Sequence, residues 1–300
     1  MSIKPILLII FNRPDTTARV FDVIRSLKPS RLYVAADGPR EGRDGEADLC
    51  AETRRLATAI DWPCELKIRF LEKNAGCHVA VPAAISWFFE YEEDGIILED
   101  DCLASADFFN LCEDLLERYR EDRDVMMISG DNFQTPAFKT VDGASYYFSG
   151  IANIWGWATW RRAWSAFKDD FKELDDRRMK KEIERAFSSR SSRRYWYGFY
   201  KKIKKGRLEN WDAKWLLSIV YGGGVAAVPS VNLVQNIGFG SAATHSAGDF
   251  HMSVEASDLK NIIHPKSHII NHEADDWLIR SIYFRSLGER AMLKIRSYLK

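Results

Sequence analysis

The chain has 300 residues, of which 46% are hydrophobic and 29% charged. This composition excludes an intrinsically disordered protein and supplies enough apolar residues for one large α/β domain or two smaller ones. The 43 basic and 43 acidic residues cancel, and the five cysteines form no Cys-x-x-Cys pair, which argues against a disulfide framework or a zinc site. The odd number of cysteines, together with an apolar run (Pro5–Phe11) too short to span a membrane, predicts a cytoplasmic protein.

The first half of the chain alternates between short apolar runs and amphipathic stretches. Strands are predicted at Ile6–Phe11, Arg31–Ala36, Leu66–Phe70, Ile96–Leu98, Val125–Ser129 and Val225–Val228. Helices are predicted at Asp15–Leu27, Glu46–Ile60, Val79–Tyr91, Ala106–Tyr119 and Asp212–Tyr221. Strands that alternate with helices indicate βαβ units, so the sequence predicts an α/β fold with a mostly parallel central sheet flanked by helices.

Three consecutive acidic residues, Glu99, Asp100 and Asp101, follow the apolar run Gly95–Leu98. This pattern is typical of a buried strand that ends in a cluster of carboxylates. Adjacent carboxylates repel one another unless a cation or hydrogen-bond donors lie close by. Because open α/β sheets bind ligands at the carboxyl ends of their strands, the triplet predicts a site for a divalent cation and a phosphate-bearing ligand.

Three other polar loops follow predicted strands at the same edge. They are Asn12-Arg13-Pro14, Asp37-Gly38 and the loop from Asn74 to His78. Arginine suits a phosphate, and Mg²⁺ or Mn²⁺ is often held by one or two carboxylates together with substrate phosphates. Taken singly, the first two loops are also ordinary turns. The chain has no P-loop and no Gly-x-Gly-x-x-Gly after its first strand, which favours phosphate binding through a metal.

Six ordered segments carry a resemblance to a known family. They are Phe11–Pro14, Asp37-Gly38, Leu98–Asp101 with Asp107–Phe109 behind it, Ile128–Asn132, Trp211-Asp212 and, more weakly, Gly238–His245. From the first strand to about Phe250, the chain resembles GT-A-fold glycosyltransferases, in particular N-acetylglucosaminyltransferase I and its bacterial relatives. The resemblance implies a GT-A catalytic domain over residues 1–250 and a C-terminal extension over 251–300. Residues 1–130 would bind the nucleotide sugar, and 131–250 would hold the acceptor and the catalytic base.

The resemblance also implies roles for residues around a nucleotide-sugar donor. Arg13 would approach the diphosphate, and Asp37 would accept a hydrogen bond from the uracil N3–H, which favours a UDP-linked sugar. Glu99 would contact the donor sugar and Asp100 the nucleoside, while Asp101 would bind Mn²⁺ or Mg²⁺. The other residues assigned to the donor by this resemblance are Phe11, Asn12, Asn74, His78 and His245.

Asp212 would act as the general base of the reaction that the resemblance implies. Its carboxylate would take the proton of the acceptor hydroxyl as that oxygen attacks the anomeric carbon, while the metal neutralises the departing UDP. One direct displacement of this kind inverts the anomeric configuration. The alternative is that Asp212 only caps a helix over Ala213–Tyr221.

Two further parts of the implied site are less specific. The segment Gly238–His245 resembles a loop that closes over the donor, from which His245 could touch the diphosphate or the metal, although a loop histidine is often only solvated. Trp155, Trp157 and Trp211 are candidates for an acceptor wall, because sugar rings stack on aromatic side chains. Tryptophan is also a core residue, and the helical spacing of Trp160 and Trp164 predicts core packing.

Two basic segments stand out against an otherwise acidic chain. Between Arg177 and Arg207 there are thirteen Lys or Arg and two Glu, and between Trp277 and Lys300 there are six Lys or Arg and one Glu. The first belongs to an insertion, residues 169–209, which is predicted to be helical. A solvated surface, an acceptor-binding function and a membrane contact all stay open for it. The second has the pattern of a basic amphipathic helix, which either lies on an anionic bilayer or packs on the body. Nucleic-acid binding is opposed by the acidic remainder.

The combined prediction is a metal-dependent, inverting glycosyltransferase that transfers a sugar from a nucleotide sugar to a glycan or a lipid-linked glycan. Bacterial surface polysaccharide or glycoconjugate synthesis, on the inner face of the plasma membrane, fits that activity. A nucleotidylyltransferase that makes nucleotide sugars is one alternative, although Asn12-Arg13-Pro14 lacks the glycine-rich loop that this class would need. A non-catalytic nucleotide-sugar-binding or scaffolding protein is another, against which the acidic triplet and Asp212 argue.

Overall fold

The computed structural model describes residues 3–134, 140, 143–238, 259 and 261–283. In these residues the strands are β1 (Ile6–Ile10), β2 (Arg31–Ala36), β3 (Glu65–Phe70), β4 (Asp94–Glu99), β5 (Cys102–Ala104), β6 (Val125–Ser129), β7 (Tyr146–Ser149), β8 (Trp157–Trp160), β9 (Val225–Pro229) and β10 (Val234–Asn236). The α-helices are α1 (Pro14–Leu27), α2 (Glu46–Ala57), α3 (Cys77–Tyr91), α4 (Ala106–Arg118), α5 (Arg161–Trp164), α6 (Asp176–Ala186), α7 (Arg190–Lys204), α8 (Trp211–Gly222) and α9 (His272–Leu278). A π-helical turn, Ile279–Tyr283, continues α9.

Eight of these strands form one sheet in the order β3-β2-β1-β4-β8-β6-β9-β7, and β5 pairs with β10 in a separate antiparallel ribbon. β1, β2, β3 and β4 are parallel to one another, and β6 is parallel to β9. β8 and β7 run antiparallel to their neighbours. The chain therefore has an α/β architecture with a mostly parallel, Rossmann-like sheet, and the predicted fold class is confirmed.

The central strands are buried on both faces. Residues 6–8 of β1 and 96–98 of β4 have almost no exposed surface, which explains their unbroken apolar runs. β1 lies between β2 and β4, and its register pairs Ile9 with Glu99. The chain therefore leaves β1, β2 and β4 at the same edge of the sheet, where the polar loops follow.

The predicted and observed bounds coincide at β2 and β6, and the other predicted strands and helices are found with small shifts. α2 differs most, since it ends at Ala57 rather than at Ile60. The reason is the turn after Ala57, which buries Trp62 against Phe21 with 5.9 Å between ring centroids. The indole Nε1 of Trp62 donates to the Pro29 carbonyl at 2.9 Å, a bond that a longer α2 would displace.

The basic insertion folds as α6 and α7, so its predicted helical character is confirmed. Trp196 and Tyr200 of α7 are buried, and the Trp196 ring stacks on Phe187 with 5.7 Å between centroids. Asp176 of α6 accepts hydrogen bonds from the Tyr200 hydroxyl and from Lys204 Nζ, the latter at 2.7 Å. The buried aromatic residues of this segment therefore hold α7 against the body.

The C-terminal part of the described chain is anchored by a buried carboxylate. Asp275 of α9 accepts from Ser149 Oγ at 2.5 Å and from the Gly150 N–H at 2.8 Å. Burial raises the pKa of Asp275 to about 7. The predicted amphipathic helix 277–300 is described only as far as residue 283, and the predicted domain boundary at 250 also lies outside the described residues. In the described part, none of the helices has both the length and the apolar character needed to cross a bilayer.

Candidate active site

A cleft of about 280 Å³ lies at the carboxyl edge of β1, β2, β3 and β4 and is closed on one side by α3. The structure brings seven of the predicted donor residues to its walls, namely Phe11, Arg13, Asp37, Asn74, His78, Glu99 and Asp100. Its apolar floor is made largely of small or branched residues, among them Ile9, Ala35, Ala36, Ala80, Val81 and Ala84. One cleft therefore combines an apolar floor with cations, carboxylates and an amide, as a nucleotide would require.

The acidic turn after β4 is neutralised by one arginine. Arg13 Nη1 donates to Asp101 Oδ2 at 2.5 Å and lies 3.5 Å from Asp100 Oδ1. Asp100 also accepts a hydrogen bond from the Phe11 N–H at 3.0 Å. The end of β1 is thus tied to the end of β4, and Arg13, directly before α1, is held at the mouth of the cleft.

Burial is the main influence on the protonation of Glu99 and Asp100 in this turn. Burial, followed by the charges of Asp101 and Asp100, raises the pKa of Glu99 to about 8. Burial is also the main reason that the pKa of Asp100 is raised to about 7, against the opposing effect of Arg13. A cluster of this kind gains from any further positive charge that binds beside it.

Asp37 has a structural task at this edge. Its Oδ1 accepts from the N–H groups of Gly38 and Ala75, both at 2.8 Å, and its Oδ2 accepts from Gly76 N–H at 2.9 Å and Asn74 Nδ2 at 3.1 Å. These four bonds fill the usual acceptor positions of a carboxylate. The geometry therefore does not support the predicted contact of Asp37 with a uracil N3–H. Asp37 instead fixes the conformation of the loop that precedes α3.

Asn12, assigned to the donor by the resemblance, points elsewhere. Its Nδ2 donates to Glu46 Oε1 at 3.0 Å, and the same buried carboxylate binds the Arg40 guanidinium and accepts from the Arg40 N–H at 2.7 Å. These bonds, with that of the Arg40 guanidinium first, lower the pKa of Glu46 to about 2. Arg40 in turn lies over the Phe11 ring, 5.5 Å from its centroid, so Asn12 supports one wall of the cleft from behind.

Asp212 lies in the first turn of α8, after the N-cap residue Asn210. Burial raises its pKa, and only the N–H groups of Ala213 and Asp212 itself oppose the rise. The charge of Asp212 in turn raises the pKa values of both Glu99 and Cys77, which places it close to the cleft. Asp212 thus combines a raised pKa, no ion-pair partner in the described residues and a position beside the cleft.

Most of the tryptophans considered for the acceptor site or the core are buried. Trp160 and Trp164 are buried, and their indole nitrogens donate to Leu116 O and Ser86 Oγ, both at 3.0 Å, so the predicted core packing is confirmed. Trp157 is 1% exposed. A sugar therefore cannot reach its ring in this structure, and the acceptor prediction for Trp157 is not supported.

The other two proposed acceptor tryptophans differ in burial. Trp211 opens α8 and is also buried, at 6% exposed, with its ring 6.4 Å from that of Trp157. Trp155 is partly buried and packs edge-on against Phe133 at 4.9 Å. The backbone N–H of Trp155 donates to the buried carboxyl of Asp131, whose pKa is raised by burial. Trp155 is thus the acceptor candidate with the more accessible ring.

The ribbon of β5 and β10 brings a later segment over the acidic turn. The Ile237 N–H donates to the Asp101 carbonyl at 2.8 Å, and the Gly238 N–H donates to Asn236 Oδ1 at 2.8 Å. A Cβ on Gly238 would lie 2.2 Å from Asp101 Oδ2 and 2.6 Å from Arg13 Nη1. Gly238 is therefore in contact with the ion pair. The rest of the predicted closing loop, including His245, lies outside the described residues.

Two charged residues of the cleft, Arg40 and Arg69, were not predicted from the sequence. Arg69 lies on β3, opposite Ala35, and forms no ion pair within the described part of the chain. In the sequence, Arg69 is visible only as an arginine within a predicted strand. Such a residue is common in a strand at the edge of a sheet and does not by itself indicate a binding site. His78, which was predicted, lies 3.5 Å from Glu209 and so links the cleft to the loop before α8.

A metal at this edge would depend on the donor for most of its ligands. Among the described residues, no group of three or more His, Cys, Asp or Glu side chains is arranged to hold a metal. The residues nevertheless fit the predicted cation, because the available donors are carboxylate oxygens, which Mg²⁺ and Mn²⁺ prefer, and because Arg13 stands in as a cation at Asp101. Asp101 would supply one ligand, and phosphates and water would supply the others.

Comparisons with known proteins add little to this geometry. No family model matches the chain, and no curated protein matches it in sequence. HddC from Yersinia pseudotuberculosis is similar in structure with a TM-score of 0.33 and 8% identity, over 53% of this chain and 78% of that chain. A 4-diphosphocytidyl-2C-methyl-D-erythritolsynthase from Anaerococcus prevotii DSM 20548 has a TM-score of 0.34 and 11% identity, over 66% of this chain and 99% of that chain. Both TM-scores are too low to bear on function.

Proposed function

We propose that this protein is a metal-dependent, inverting glycosyltransferase that uses a nucleotide-sugar donor. The observation that carries the proposal is one cleft at the carboxyl edge of the parallel strands, lined by Arg13, His78, Glu99 and Asp100, with Asp212 beside it. The acidic turn, the arginine and the apolar floor suit a nucleoside diphosphate, and the raised pKa of Asp212 suits proton abstraction. The resemblance of the sequence to the N-acetylglucosaminyltransferase I group supplies the class of reaction.

In this proposal each side chain has a separate role in a direct displacement at the anomeric carbon. Arg13 stabilises the charge that develops on the departing diphosphate. Asp212 accepts the proton of the acceptor hydroxyl while that oxygen forms the new bond to the anomeric carbon and the bond to the diphosphate breaks. Glu99 faces the donor sugar. A bound Mn²⁺ or Mg²⁺ would add Lewis-acid stabilisation of the leaving diphosphate.

Donor binding gives the first test of the proposal. UDP, CDP, GDP and ADP are each added with and without Mn²⁺, and thermal stabilisation is recorded. We expect one of them, with UDP favoured by the sequence resemblance, to stabilise the protein only with Mn²⁺. D101A should lose this effect, whereas D44A, which removes an exposed carboxylate, should keep it. Stabilisation without metal in wild type and D101A alike would contradict the metal-dependent site.

Turnover gives the second test, with nucleotide sugars matched to the base that binds. Release of the nucleoside diphosphate in the presence of candidate glycan acceptors is measured for wild type and D212N. We expect D212N to bind the donor normally and to lose about 10²–10⁴-fold in transfer rate, the usual contribution of a general base. An active D212N variant would leave Asp212 with only its role at the start of α8.

A nucleotidylyltransferase that makes nucleotide sugars is the second candidate, and one observation favours it. Arg13, Arg40 and Arg69 all line the cleft, and three arginines suit a triphosphate as well as a diphosphate. Arg13 and Arg40 are already paired with carboxylates, however, and the chain enters α1 directly at Pro14 without a glycine-rich loop. Pyrophosphate release from a nucleoside triphosphate and a sugar 1-phosphate would select this function over the first.

The basic insertion supports a proposed partner, an anionic membrane surface that presents a lipid-linked acceptor. Of the thirteen Lys and Arg between residues 177 and 207, ten form no ion pair with a carboxylate in the described residues. The aromatic side chains of α7 are at least partly covered, which favours electrostatic contact over insertion. R190E/R194E should weaken sedimentation with phosphatidylglycerol vesicles at least tenfold, while the control R19E/R43E should not. If both double variants bind the vesicles equally well, the proposed contact between the basic insertion and a membrane is wrong.

A further inference from the structure

The Arg13–Asp101 contact is close, polar and partly removed from water. Their N–O distance is 2.5 Å, and the two side chains are 22% and 13% exposed. The same Nη1 also lies 3.5 Å from Asp100, so a single guanidinium serves two carboxylates. Arg13 is therefore the cation that neutralises this turn within the described residues.

Gly238 crowds the Asp101 oxygen that Arg13 contacts. Gly238 lies so close that an added Cβ would be 2.2 Å from Asp101 Oδ2 and 2.6 Å from Arg13 Nη1. The segment is fixed there by the Ile237 N–H, which donates to the Asp101 carbonyl at 2.8 Å. A divalent ion that approaches Asp101 therefore meets both an occupied carboxylate oxygen and a fixed positive charge.

We propose that Arg13 occupies the place of the divalent cation at Asp101 until a nucleoside diphosphate draws its guanidinium away. The inference rests on the proposed function, since it concerns the donor and metal of the same site. Guanidinium groups bind phosphate with two parallel hydrogen bonds, and a diphosphate carries more charge than one carboxylate. Once Arg13 turns to the diphosphate, Asp101 is free for the metal, which the same phosphates help to bind. Nucleotide and metal therefore bind as a pair.

The pairing has a thermodynamic signature. If nucleotide raises the affinity for Mn²⁺ by some factor, Mn²⁺ raises the affinity for nucleotide by the same factor. Without nucleotide, Arg13 competes with Mn²⁺, so the wild-type protein binds Mn²⁺ weakly. Removal of the guanidinium charge should strengthen nucleotide-free Mn²⁺ binding and should shrink the coupling factor.

The test measures Mn²⁺ binding to the full chain without nucleotide, by electron paramagnetic resonance of free Mn²⁺ or by calorimetry. We expect R13Q to bind Mn²⁺ at least tenfold more tightly than wild type. R13K, whose single ammonium cannot reach both carboxylates, should fall between the two. The matched control is R19Q, which removes an exposed arginine of α1 without breaking an ion pair in the described residues, and should change Mn²⁺ affinity less than threefold.

The outcomes separate this inference from the proposed function. One outcome is that UDP strengthens Mn²⁺ binding in wild type while R13Q leaves nucleotide-free Mn²⁺ affinity unchanged or weaker. In that case the proposed exchange of Arg13 for the metal at Asp101 is wrong, and the proposed donor site is still supported. If R19Q strengthens Mn²⁺ binding as much as R13Q, the effect is general electrostatics and the inference is overturned. If R13Q does not fold, R13K decides, since an affinity no higher than that of wild type refutes the exchange. If none of UDP, CDP, GDP and ADP strengthens Mn²⁺ binding in wild type, both proposals fail.

Discussion

The closest packing at the proposed donor site involves Gly238, and G238A gives the most direct test of the site. An added Cβ would lie 2.2 Å from Asp101 Oδ2, whereas ordinary van der Waals contact begins at 3.4 Å, so the carboxylate or the segment must move by about 1.2 Å. Displacements of about 1 Å at a site of reaction can cost about 100-fold in rate. We expect G238A to lose at least tenfold in Mn²⁺-dependent nucleotide affinity and about 100-fold in transfer.

Gly198 provides the matched control for this substitution. A Cβ at Gly198, inside α7, would meet no heavy atom within 4 Å. Alanine is favoured over glycine inside a helix by roughly 0.5–1 kcal/mol, so G198A should raise the melting temperature and leave binding unchanged. Calorimetric titration of both variants with nucleotide and Mn²⁺, beside thermal unfolding, makes the comparison. If G238A binds like wild type, the contact between Gly238 and the Arg13–Asp101 pair has no part in the donor site.

Two further predictions concern buried carboxylates. D37N replaces two acceptor oxygens by one and should release part of the loop before α3. We expect the free energy of unfolding, measured with urea, to fall by about 1–3 kcal/mol, and nucleotide binding, measured by titration, to weaken. An unchanged free energy of unfolding would show that Asp37 does not hold this loop. The pKa of Asp275 is raised to about 7, so the folded state holds this proton more tightly than the unfolded chain. Its contribution to stability is therefore fully present below about pH 4 and lost as the pH rises to 7. Relative to D275N, wild type should lose roughly 2–3 kcal/mol between pH 5 and 7, and parallel pH profiles of the two proteins would contradict the buried carboxyl.

The sequence alone was sufficient for the parallel half of the fold. Bounds were correct at β2 and β6 because each is an apolar run that ends abruptly in charged or turn residues. Residues 99–101 were assigned to a sheet edge for the same reason, since burial of the preceding strand can be read from its composition. The sequence pattern predicts a strand or helix correctly where that element is determined by neighbouring residues or by a regular spacing of apolar residues.

What the sequence could not supply depends on contacts between distant segments. The four donors to Asp37 come largely from the loop at 74–76, and no pattern around Asp37 indicates that they will converge on it. The approach of Gly238 to Asp101 depends on the short β5–β10 ribbon, whose three-residue strands leave little periodic signal. The burial of Trp157 likewise follows from its neighbours in the sheet and α8, which a single tryptophan in a turn-like sequence does not reveal.

The position of β3 has a consequence for how this protein behaves at high concentration. β3 is the last strand on its side of the eight-stranded sheet, so one row of its backbone groups has no strand partner there. Open edges of this kind invite a second molecule to extend the sheet and aggregate. Glu65, Lys67 and Arg69 alternate along β3, and a strand added from another copy would have to bury their charges. Arg69 thus lines the cleft and also opposes self-association through the edge of β3. We expect its removal to lower solubility even if nucleotide affinity is unchanged.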